Sequence, residues 1–145
     1  MDVDLCTALA QQLGVKLELK PLSGEARIAE VKMGRVDVVV ANLAYTKTRA
    51  QQIQFSDPYY VAKEVLVVKK PLVDKPRAFF EGKRISATKG STSEQSIRMA
   101  KATPVTFQDT GSAYLAVQQN KVLGVVTNTM SCLLYTSPSP RDQRG

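Results

Sequence analysis

The chain has 145 residues, of which 43% are hydrophobic and 23% charged, and this balance excludes an intrinsically disordered protein. It contains no histidine and two cysteines, Cys6 and Cys132, so it carries no recognisable zinc pattern, and Ser-His-Asp or Cys-His catalysis is excluded within it. The net charge is +7, but the lysines and arginines are dispersed, with no stripe interleaved with aromatics, which argues against a nucleic-acid partner.

Leu5, Ala8, Leu9 and Leu13 recur at helical spacing. Asp4 is the expected N-cap, Gly14 the residue that ends the helix, and Cys6 and Ala10 help to fill its buried face. Residues 15–19 alternate with period two and predict a half-buried strand. Ser23 is placed to cap a second helix, residues 24–33, which turns Ile28 and Val31 inward and stops at Gly34. Residues 36–41 predict a buried strand, and the alternation of strands and helices calls for a parallel, doubly wound sheet.

The stretch from Asp37 to Tyr60, DVVVANLAYTKTRAQQIQFSDPYY, carries the most information. An apolar run ends in Asn42, followed by a polar turn and then Arg49 at the start of a short helical pattern. A further extended piece, residues 53–55, closes in Ser56-Asp57-Pro58 and the pair Tyr59-Tyr60, which are expected to pack in the core and hinge. Such an arrangement brings backbone groups and one arginine to the carboxyl edge of a sheet, where open α/β sheets bind ligands.

Residues 61–68 form a β-rich run, and Pro71 and Pro76 mark a change of unit. A second α/β series follows: strand 84–88, the turn Gly90-Ser91-Thr92, helix 93–102, strand 105–107, helix 112–119 and strand 122–127. Standing alone, Ser91 reads as an ordinary N-cap. From residue 132 the apolar periodicity stops and a Ser/Pro/Arg tail begins. Residues 132–142 resemble a translated sequencing adapter, so 132–145 is expected to be non-native, and removing Arg141, Asp142 and Arg144 takes the charge from +7 to +6.

The series of strand, turn, Thr46-x-x-Arg49-Ala50 and Phe55-Ser56-x-Pro58-Tyr59-Tyr60 resembles the solute-binding proteins of bacterial amino-acid ABC importers. The opening MDVDLCTALAQQLG resembles the same family's signature, with Met1 as an internal methionine and a strand, a ligand loop and a leader expected upstream. The resemblance implies an α/β fold of the type II periplasmic-binding-protein kind: two doubly wound lobes joined by a hinge, both incomplete here. Lobe 1 is expected over residues 1–68 and lobe 2 over 69–131.

It further implies a ligand with an α-carboxylate, captured between the lobes. Arg49 corresponds to the carboxylate-clamping arginine, whose planar fork of N–H donors matches a carboxylate. Ser91 and Thr92 face it from the other lobe, 42 residues on in the case of Ser91 (91 − 49), at a helix N-terminus that favours an anion. Asn42 and Ala44 supply turn contacts, with Asn42 equally readable as a plain turn residue. Asn128 stands where relatives commonly have an aspartate for the ligand's ammonium group, and keeps an acceptor without the charge.

The function so implied is binding of a small polar solute, an amino acid first, outside the cytoplasm or on a lipid anchor. The binding protein is expected to act as a monomer, without cofactor or metal, and to deliver its ligand to an ABC permease. Two alternatives stay open: a periplasmic cyclohexadienyl- or arogenate-type dehydratase of the same fold, and the sensing domain of a larger receptor or lytic transglycosylase.

Overall fold

The structure, a computed structural model, describes residues 1–136. Its chain divides into two units, Met1–Asp57 and one that starts at Pro58. The first contains helices α1 (Asp2–Leu13), α2 (Ala26–Lys32) and α3 (Lys47–Ala50). Gly14 ends α1 in the left-handed region, φ 66°, a conformation open to glycine without steric cost. The other end departs from expectation. Helix α1 begins behind Met1, so Asp4 lies inside its first turn, where the helix dipole favours a carboxylate, and does not cap it.

No strand forms in the described part of the first unit. Residues 15–19 and 36–41, both expected as strands, take part in no β-ladder. A strand exposes a row of N–H and C=O groups that only another strand can pair, and neither segment has such a partner in this unit. The burial expected of residues 36–41 is missing with the ladder, Val38 being 54% exposed, and Leu13, on the expected inner face of α1, is 63% exposed. Ala10 is the one buried side chain of the first unit. Glu30 ties Lys20 (2.7 Å) to Arg35 (3.0 Å), and both partners hold its carboxyl below the usual range, Lys20 most strongly.

The second unit contains β1 (Glu64–Val68), two 3-10 turns (Lys70–Leu72 and Arg77–Phe80), β2 (Arg84–Thr88), α4 (Thr92–Met99), β3 (Thr103–Phe107), α5 (Thr110–Gln118), β4 (Gly124–Asn128) and α6 (Thr129–Thr136). The strands form one mixed sheet in the order β1-β4-β2-β3. Strand β2 runs parallel to β3 and β4, and β1 antiparallel to β4, with Glu64 opposite Asn128 and Val68 opposite Gly124. Tyr59 and Tyr60, expected to pack inward, are exposed.

Alternation along β2 sends successive side chains to opposite faces of the sheet. Ile85 and Ala87 pack with Ile97 of α4 and with Phe80; the opposite core gathers Ala113, Ala116 and Val117 of α5 with Val122 and Val125. The sheet is therefore sandwiched between α4 on one face and α5 on the other. Ser86, fully buried, faces α5 and donates its hydroxyl proton to the Ala113 carbonyl (2.9 Å). Helix α6 runs past residue 132, where the apolar pattern was expected to break, and stacks Tyr135 on Tyr114 at 4.8 Å. The Ser/Pro/Arg stretch beyond it lies outside the described residues.

Candidate functional site

In the first unit, the loop before α3 is organised around Arg49. Thr46 is an extended N-cap whose hydroxyl oxygen accepts from the Arg49 N–H (3.1 Å), the capping expected of threonine at a helix start. Cap and helix turn the Arg49 side chain back along the loop, and its Nη1 donates to the Ala44 carbonyl at 2.8 Å. Tyr45 and Phe55 meet edge to face, centroids 5.3 Å apart, bracing the loop against the segment that follows α3. The guanidinium is half-buried, and this burial, with the Arg27 charge second, lowers its pKa. Asn42 and Ala44 themselves are exposed.

In the second unit, the chain leaves β2 toward α4 on one face of the sheet, and leaves β4 toward α6, which contacts α5 on the other. Adjacent parallel strands whose exits diverge in this way leave a crevice at their carboxyl ends, the switch point at which open α/β sheets take ligands. Ser91 and Thr92 follow β2, and Asn128 ends β4. The structure brings these three expected residues to the same edge of the sheet.

Their side chains are already engaged. The Ser91 hydroxyl oxygen accepts from the Glu94 N–H (3.3 Å), its O–H donates to the Thr88 carbonyl (2.6 Å), and Ser91 serves as the N-cap of α4. Glu94 accepts in turn from the Gly90 N–H (2.9 Å), and that bond, followed by the one from Arg98, keeps its carboxyl below the usual range. Thr92 donates its hydroxyl proton to Glu64 (2.6 Å). The Asn128 Oδ1 accepts from the Ser131 N–H (2.9 Å) at the start of α6. The N–H groups of Thr92 and Ser93, in the first turn of α4, have no intrahelical acceptor by helix geometry, and such a helix start favours negative charge.

Two residues at this edge were not among the expected site residues. Glu94 was legible, because Ser91-x-x-Glu94 has the spacing of a capping box. Glu64 gives no local signal: it reaches Thr92 across 28 positions, through the pairing of β1 with β4. Among the described residues no cluster of His, Cys, Asp and Glu could hold a metal ion.

Residues 1–129 match the bacterial extracellular solute-binding proteins, family 3. The glutamine-binding protein of an ABC transporter from Bacillus subtilis is 29% identical over 140 residues, covering 92% of this chain and 50% of its own length. An ancestral arginine-binding protein, solved bound to glutamine, superposes with a TM-score of 0.88 at 35% identity, covering 97% of this chain and 64% of that one. An ancestral amino-acid-binding protein described as a precursor of cyclohexadienyl dehydratase gives 0.86 at 31% identity, covering 92% and 62%. The chain thus spans about half the length of the curated relative and under two thirds of either solved structure.

Proposed function

The chain belongs to the bacterial extracellular solute-binding proteins, family 3, and on that premise we propose that it binds an amino acid outside the cytoplasm for delivery to an ABC permease. The residues assigned to the ligand are Asn42, Ala44 and Arg49 of the first unit, and Ser91, Thr92 and Asn128 of the second. One observation carries the assignment: the Thr46 cap fixes the start of α3 and the Ala44 carbonyl holds the Arg49 guanidinium. A guanidinium held in place recognises a carboxylate with little further loss of side-chain entropy, and partial burial strengthens the pair. Ser91 acts by fixing the start of α4, whose first-turn N–H groups offer a second anchor for negative charge.

Two of the relatives named above are a glutamine-binding protein and an arginine-binding protein solved with glutamine, and both amino acids carry the α-carboxylate this arrangement suits. The protein works as a monomer, with no cofactor. Equilibrium dialysis of the chain against labelled glutamine and labelled arginine tests the reading. Saturable retention of at least one of them supports it, and retention of neither sinks it.

A further inference from the structure

Glu64, the first residue of β1, accepts hydrogen bonds from three hydroxyls of α4: its Oε1 from Thr92 (2.6 Å) and Ser93 (3.2 Å), and its Oε2 from Ser96. A hydroxyl has one proton to donate. Once Thr92 has given that proton to Glu64, it can offer an incoming group only lone pairs. A ligand carboxylate is itself an acceptor and finds no donor in the Thr92 side chain until Glu64 releases it.

We propose that Glu64 sets the affinity of the site, as an internal carboxylate that competes with the ligand's carboxylate for the Thr92 hydroxyl and so weakens binding. The proposal rests on the reading that Thr92 contacts the ligand. Glu64 is exposed, so its release returns a carboxylate to water at small cost, whereas a buried one would be a permanent brace. Ser93 is 8% exposed and depends on the same carboxylate for a partner, so the position Glu64 leaves is one that needs an acceptor again. The β1–β4 register sets Glu64 directly opposite Asn128, at the edge of the sheet where the other expected ligand residues of this unit lie.

The test pairs Glu64→Ala with Thr92→Val, singly and together, and has two arms. In the first, amide resonances of Thr92 and Ser93 are followed by NMR during titration with acetate. They are expected to shift less in the unaltered chain than in Glu64→Ala, and the extra shift is expected to be largely lost when Thr92→Val is added. In the second, affinity for glutamine and for arginine is measured. Glu64→Ala is expected to tighten binding about tenfold, the scale of one charge-assisted hydrogen bond. Thr92→Val is expected to remove most of the gain in Glu64→Ala, the non-additivity of a shared contact. Glu64→Gln, which keeps an acceptor of the same shape, provides the check where Glu64→Ala does not fold, and is expected to give a smaller gain of the same sign. Equal acetate shifts with and without Glu64, or unchanged or weaker amino-acid binding in both Glu64 variants, overturn the proposal. If the acetate arm behaves as expected while neither amino acid binds any of the proteins, the competition by Glu64 stands and the amino-acid reading falls.

Discussion

Ser91 and Glu94 cap α4 together: the Ser91 oxygen accepts the Glu94 N–H at 3.3 Å, and the Glu94 carboxylate reaches back to the Gly90 N–H at 2.9 Å. One donor that the first turn of the helix leaves unpaired, the Glu94 N–H, is thereby satisfied by the chain itself, and the helix start is fixed.

Loss of the Ser91 hydroxyl is therefore a loss of stability. Ser91→Ala is expected to lower the unfolding free energy by about 1 kcal/mol, and Ser91→Gly by only a few tenths of that, since glycine is tolerated at an N-cap. Denaturant midpoints of the two variants check this. Equal stability of Ser91→Ala and the unaltered chain would contradict the capping role.

The same cap makes stability depend on acid. Glu94 is held below the usual carboxylate range, first by the Gly90 N–H and then by Arg98, and Asp109, the N-cap of α5, by the Ser112 N–H. A carboxyl more acidic in the folded than in the unfolded chain contributes stability that is complete above its unfolded pKa, about 4. That stability is lost as pH falls through the lower, folded value. Denaturant unfolding followed from neutral pH into this acid range should weaken steadily, and Glu94→Gln should flatten the fall.

Gly124 is required for a steric reason. A Cβ there would lie 2.8 Å from the Val67 carbonyl oxygen and 2.8 Å from a Val68 methyl, and the first of these is backbone that cannot rotate away. Gly124→Ala is expected to cost on the order of 1–3 kcal/mol by forcing β1 and β4 apart. Its thermal unfolding should fall well below that of the unaltered chain, and an unchanged midpoint would mean that the β1–β4 pairing is looser than described.

Strand β2 was legible at 84–88 because its alternation is bounded by turn residues, and its neighbours in the sheet supply the ladder. Residues 15–19, which alternate, and the apolar run 36–41 formed none: a strand pattern predicts a strand only where a partner is available. Arg49 could be picked out from its motif, and Ser91 from its capping spacing. The engagement of Thr92 by Glu64 could not, since nothing in the order of residues announces a contact 28 positions away. The assignment of Tyr59 and Tyr60 to a core failed for a related reason, because an aromatic pair is buried only if a surface exists to cover it.

The role of Arg49 is the centre of the account, and calorimetric titration of the chain and of Arg49→Lys with the amino acid it retains tests it most directly. Lysine keeps the charge and loses the planar fork, so affinity is expected to weaken by about 10- to 100-fold with the fold intact by circular dichroism. Affinity within about twofold of the unaltered chain would contradict the assignment of Arg49 to the ligand's carboxylate.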